Sequence, residues 1–199
     1  MISAGSVSAE QSHGAVRRFR NPQDNCWHVQ IMQGDHYVTD NPEETLTTIL
    51  GSCIAACIRD PDTGVGGMNH FLLPEGDGKD RNASRFGVNA MEILINGVLK
   101  RGGSRARLEA KLFGGANVIN AMSDVGSRNA EFARRFLADE GIRITGGDTG
   151  GTMPRRIQFW PVTGRARQLS VRLDKNALIE SERAMASRAG HTADDVELF

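Results

Sequence analysis

A hairpin that precedes the first helix constrains this chain's fold more than any other feature of its sequence. Ile54 to Ile58 and Val65 to Leu73 are apolar runs of strand length, joined by Asp60-Pro61-Asp62-Thr63-Gly64. Each of those connecting residue types favours a turn for its own physical reason. Helical periodicity arrives only afterwards, where Met91, Leu94, Ile95, Val98 and Leu99 recur at the spacing of one helix face. Gly102-Gly103 closes that helix. A second helix is expected from Arg128 to Asp139, stopped by Gly141. Strand patterns recur at Val29 and Ile31, Thr47 to Leu50, Leu108 to Leu112, Ile142 to Ile144 and Arg156 to Phe159. A final one lies near Leu169 to Leu173, after the Thr163-Gly164 turn. Strands outnumber helices and two of them are adjacent in the chain. The expected fold is therefore mixed α/β (α+β), with mixed sheets, rather than a regular alternation around one parallel sheet.

With 199 residues the chain suits one domain with a full core, expected over residues 28–175. Residues 1–27 are small and polar, then arginine-rich, and read as a flexible arm; 176–199 read as a helix candidate and tail. No apolar run approaches the roughly 18 residues of a membrane span. The first residues lack the basic start and apolar stretch of a signal peptide, so a cytoplasmic protein with no membrane insertion is expected. Cys26, Cys53 and Cys57 are then expected to be thiols. Arg101 to Arg172 carries thirteen Lys/Arg against six Asp/Glu. That excess suits an acidic partner or simply a solvated face; no nucleic-acid motif accompanies it.

Two residues are candidates for chemistry, although a cysteine among small apolar residues is ordinarily a packing residue and a lone histidine ordinarily a satisfied polar group. Cys53 follows Gly51-Ser52, a small-residue turn expected to expose its sulfur, and a thiol needs a neighbouring base to be reactive near neutral pH. His70 lies on the opposite arm of the hairpin. A two-residue loop at Pro61-Asp62 puts positions 53 and 70 directly opposite each other. A loop at Asp62-Thr63 makes them diagonal neighbours on the same face, and in both registers they stand within about 5–8 Å. A loop of odd length would separate them across the sheet unless a bulge restored the parity. Cys57 sits inside the apolar Ala55-Ala56-Cys57-Ile58 run and reads as a packing residue. A zinc site from Cys26, His28, His36 and His70 lacks any C-x-x-C pair, so no metal is expected.

Leu50-Gly51-Ser52-Cys53, the Asp60-Pro61 turn and Gly67-Met68-Asn69-His70-Phe71-Leu72-Leu73-Pro74 together resemble the CheD family of chemoreceptor glutamine deamidases. Arg85-Phe86-Gly87, Ala110 to Asn117, Gly126-Ser127-Arg128-Asn129, Asp148 to Gly151 and Pro154-Arg155 extend the resemblance in order, over roughly Thr45 to Val171. The resemblance implies a cysteine-hydrolase scaffold like that of deamidating bacterial toxins, with mixed sheets packed together and helices outside. It implies a catalytic set of Cys53, His70 and Thr47, the hydroxyl six residues before the cysteine, with Thr48 beside it as the alternative. It implies hydrolysis of glutamine side chains on the cytoplasmic helices of chemoreceptors, with no cofactor, and association with a CheC-type phosphatase as a second role. Other thiol acyl transfers, such as transglutamination, use the same residues. Gly146-Gly147-Asp148-Thr149-Gly150-Gly151 lacks the lysine and helix of a phosphate loop and is expected to form tight turns beside the site. Arg128 and Asn129 are expected to cap the second helix.

Overall fold

The computed structural model describes residues 17–22, 24–74, 81–117 and 124–171. Ten strands and two helices run in the order β1 (Arg17–Arg20), β2 (Trp27–Gln30), β3 (His36–Thr39), β4 (Glu44–Leu50), β5 (Ile54–Arg59), β6 (Gly66–Asn69), α1 (Arg81–Lys100), β7 (Glu109–Gly114), α2 (Val125–Asp139), β8 (Arg143–Thr149), β9 (Arg155–Trp160) and β10 (Arg165–Ser170). They form two five-stranded sheets, β1-β2-β4-β9-β10 and β3-β6-β5-β7-β8. Both are mixed: β2 pairs with β4, and β7 with β8, in parallel, and the remaining pairs are antiparallel.

Side-chain alternation explains how the layers stack. On β5, Ala55 and Cys57 turn toward the first sheet and pack with Val29, Ile31, Leu46 and Phe159. Ile54, Ala56 and Ile58 turn the other way, onto Leu94 and Val98 of α1 and Ala133 and Leu137 of α2. A strand apolar on both faces belongs in the middle layer, and β5 is the central strand of the second sheet. Both helices cover the outer face of that sheet, so the order is sheet, sheet, helices. Each fully buried leucine or isoleucine here contributes about 1.5–3 kcal/mol.

The hairpin turn is locked by a buried charge. Asp60 is 0% exposed. Its carboxylate accepts the backbone N–H of Asp62 at 2.9 Å and of Ser104 at 2.8 Å. It also receives a bidentate grip from Arg107, Nε at 3.0 Å and Nη2 at 2.6 Å. That guanidinium, with the two amides, holds the carboxyl far below the usual carboxylate range against the opposing effect of burial.

Several elements depart from the sequence expectation. Arg17 to Arg20, inside the expected arm, pair with β2 as an edge strand. The Arg18 guanidinium lies 4.4 Å from the Trp27 ring centre and bonds Glu44 at 2.9 Å, so the arginines serve an edge rather than a core. The short, half-polar β3 had no signal. α1 begins at Arg81, well before its apolar stripe. β8 runs straight through Gly146-Gly147, where turns were expected. β10 starts at Arg165, because its outward Arg165 and Arg167 read as polar chain. The expected tail at 176–199, and residues 1–16 of the arm, lie outside the described residues. Among the described residues no helix is long and apolar enough to cross a membrane.

Candidate active site

β4 ends in the first sheet at Leu50 and β5 begins in the second at Ile54, so Gly51-Ser52-Cys53 carries the chain from one sheet to the other. Three successive carbonyls fix this corner. Gly51 O accepts from Ala116 N at 2.8 Å, Ser52 O from the Asn129 side chain at 2.9 Å and Cys53 O from Gly115 N at 2.7 Å. Glycine is required at 114: φ is +107°, and a Cβ there would stand 2.1 Å from the Cys53 carbonyl oxygen. Gly150 and Gly151 flank the same segment, through Gly150 N to Gly114 O at 2.9 Å and Asn117 N to Gly151 O at 2.8 Å. Thus the second half of the Gly-rich stretch turns beside the site, and buried Arg155 ties it down through the Gly150 carbonyl.

The hairpin takes the second of the two registers. Cys57 faces Met68 and Ile58 faces Gly67, and Ile54 and Phe71 exchange two backbone bonds of 2.9 Å. Ala55 therefore stands opposite His70, and Cys53 is the diagonal neighbour of His70 on the same face, about 7–8 Å apart by Cα. The loop is longer than two residues: Asp60 N bonds Val65 O at 2.9 Å, leaving Pro61 to Gly64 as the connector with the same parity.

His70 is 7% exposed, and its ring crosses to the first sheet. Its Nδ1 lies 2.9 Å from the Thr48 hydroxyl, which is itself 2.8 Å from the Ile31 carbonyl. A hydroxyl has one proton, and only donation satisfies the carbonyl. Thr48 thus donates to Ile31 O and accepts from Nδ1–H, which fixes the tautomer and leaves Nε2 as the basic nitrogen. Burial pushes the imidazole down to about 4, opposed by the Ile31 carbonyl, so the ring is neutral at physiological pH.

Of the two threonines left open, Thr47 and its alternative Thr48, it is the Thr48 hydroxyl that meets the histidine. Along β4, Leu46, Thr48 and Leu50 face the second sheet, and Thr47 and Ile49 face away by the two-residue period of a strand. The expectation of an exposed sulfur is corrected. Cys53 is 2% exposed, and its thiol donates to Gln33 Oε1 at 3.4 Å. Cys57 is 1% exposed, and burial pushes its thiol far up, with Lys111 a smaller opposing influence. The three cysteines are free thiols. Among the described residues no cluster of three or more His, Cys, Asp or Glu could hold a metal.

Three amide side chains at the site had no clear signal in the sequence. Gln33 meets the sulfur from the segment after β2. Asn69 fills a ladder position, its Oδ1 accepting Ala56 N at 2.9 Å and its Nδ2 donating to Ala90 O at 2.9 Å. Asn129 holds the Ser52 carbonyl from α2 instead of capping that helix. Only the motif positions of Asn69 and Asn129 marked them out.

A sulfur at a sheet-to-sheet corner, a tautomer-fixed imidazole on the same face and a hydroxyl behind it define a class by structure: two-sheet α+β proteins with a buried thiol and a neutral imidazole where the sheets meet. Comparison with known proteins narrows the class. The family described as CheD chemotactic sensory transduction matches residues 72–169. A protein of Caulobacter sp. (strain K31) named probable chemoreceptor glutamine deamidase CheD is 50% identical over 200 residues, covering 98% of this chain and 99% of its own. Proteins of the same name from Caulobacter vibrioides (strain NA1000 / CB15N) and Sinorhizobium medicae (strain WSM419) are 60% and 54% identical. They cover 73% and 79% of this chain, and 79% and 85% of their own. This chain belongs to the CheD family. Among solved structures, the hypothetical protein YfiH of Bacillus licheniformis aligns with a TM-score of 0.39 at 15% identity, covering 57% of this chain and 50% of its own.

Proposed function

We propose that this chain hydrolyses the side-chain amide of selected glutamines on the cytoplasmic helices of chemoreceptors, converting them to glutamate, with Cys53 as nucleophile and His70 as general base. The observation that carries the reading is the relay from Ile31 O through Thr48 to His70 Nδ1. It leaves a neutral Nε2 on the face of the sheet that bears Cys53. The substrate carboxamide enters where the Gln33 amide, the same chemical group, now meets the sulfur. Nε2 takes the thiol proton, and the thiolate adds to the amide carbon. The tetrahedral intermediate collapses as the imidazolium protonates the leaving nitrogen, releasing ammonia and forming a thioester. The neutral imidazole then draws a proton from water, which cleaves the thioester to glutamate and restores the thiol. Thr48 orients the ring through its contact with Nδ1, the duty a carboxylate has in other triads. Family membership and the names of the relatives support the substrate.

The test is mass spectrometry of receptor cytoplasmic domains incubated with the protein, read for glutamine-to-glutamate conversion. Thr48→Val should lower kcat roughly 10–100-fold, the cost of a misaligned base, while Thr47→Val should stay within about twofold of wild type. No conversion at any receptor glutamine overturns the function. Equal losses from the two threonine variants overturn the role of Thr48.

A further inference from the structure

The register of the hairpin makes a specific demand beyond the Ile54–Phe71 rung. Hydrogen-bonded pairs in an antiparallel ladder alternate. Continuing two residues outward from Ile54 and Phe71 brings Ser52 opposite Leu73, where Leu73 N–H should donate directly to Ser52 O. That bond is replaced by a side chain. Leu73 N donates to Asn129 Oδ1 at 3.0 Å, and Asn129 Nδ2 donates to Ser52 O at 2.9 Å. One carboxamide from α2 is thus inserted between the two strands, oriented like a peptide group. Both partners are backbone atoms of fixed polarity, so only one orientation of the amide satisfies them. Asn129 is 0% exposed, and α2 comes close enough because residue 126 is glycine: a Cβ there would stand 2.6 Å from the Gly115 carbonyl oxygen.

The geometry points to Asn129 as a positioning residue for the reaction: it splays the hairpin by the width of one amide at the level of Cys53. The inference rests on the reading of Cys53 and His70 as nucleophile and base. Ser52 adjoins Cys53, and Leu73 lies three residues beyond His70, so the inserted rung sets the separation of the two strands at the thiol. Without it the strands can zip by one more direct bond, from Leu73 N to Ser52 O. The corner then closes toward Leu72, and Cys53 shifts relative to the imidazole.

Three variants test this: Asn129→Ala, Asn129→Asp, and Leu137→Ala as a control that opens a cavity on the same helix away from the corner. At a temperature where all are folded, Asn129→Ala should lose at least about tenfold in kcat with KM nearly unchanged, and its Cys53 should be alkylated by iodoacetamide with an altered pH profile. Leu137→Ala should lose stability and keep kcat. In Asn129→Asp the new carboxyl mimics the amide only when protonated, and its buried place beside a carbonyl raises its pKa. Its activity relative to wild type should therefore rise as pH falls from 8 toward 6, and this readout stands even if Asn129→Ala does not fold. Asn129→Ala with the kcat and alkylation profile of Leu137→Ala, or a pH-independent deficit in Asn129→Asp, overturns the inference. Cys53→Ala run alongside separates the two failures. Activity surviving in it removes the nucleophile reading, whereas a dead Cys53→Ala beside an unaffected Asn129→Ala removes only the inserted rung.

Discussion

Cys53→Ala should end glutamine conversion while the protein stays folded, a loss of at least about 10⁴-fold in kcat, the expected outcome when the proposed nucleophile of a concerted unit is removed. Cys57→Ala should keep most of the activity. The two thiols are four residues apart, on the same face of the second sheet and equally buried. What separates them is surroundings. Cys53 stands at the corner beside the diagonal His70 and meets a polar amide. Cys57 lies mid-strand among apolar side chains that keep its thiol protonated. Its truncation costs only the packing of one small side chain, about 1–2 kcal/mol. Iodoacetamide labelling followed by peptide mapping gives a second readout, with Cys53 reacting first near neutral pH. Equal activity losses in two folded variants would contradict a single nucleophile.

Asp60→Asn should be the most damaging substitution for stability among those away from the site. The neutral amide keeps the shape of the carboxylate but turns an N–H₂ toward donors that need an acceptor. Unsatisfied buried partners then cost roughly 2–4 kcal/mol, about 5–15 °C in Tm for a chain of this size. The pH dependence has a definite sign. Asp60 is held below its unfolded value of about 3.9, so its contribution is complete above that value and disappears as pH falls through the lower folded one. His70 is also depressed, from about 6.5 to about 4. The neutral ring therefore makes the native state lose stability as pH drops from about 6.5 toward 4. Wild type should thus weaken in two acid stages, and Asp60→Asn should retain only the upper one. Thermal melts carried from pH 8 down to about pH 1 would show it; a lower stage undiminished in the variant would exclude Asp60 as its source.

That Cys53 and His70 share a face of the sheet was legible because a hairpin is local: parity across one short loop decides which side chains lie together. Thr47 and Thr48 could not be told apart in the same way. Two identical residues in one strand differ only in which face meets the second sheet, and that depends on packing between segments far apart in the chain. Asn129 was less legible still. Its partners lie 56 and 77 positions away, and an asparagine near a helix start has an ordinary capping explanation. The edge strand β1 escaped because strand propensity is judged on apolar alternation, and this strand is stabilised by arginine stems and their charges.

Because Thr48 belongs to one sheet and His70 to the other, competence cannot be assembled within either sheet alone. A nascent or partly unfolded chain carries its thiol and its imidazole but has nothing to set the ring's tautomer. The union of the sheets therefore acts as a safety catch: on this reading the chain is harmless to bystander glutamines until the interface between its two sheets has closed. Mild denaturant should silence it before its helices melt.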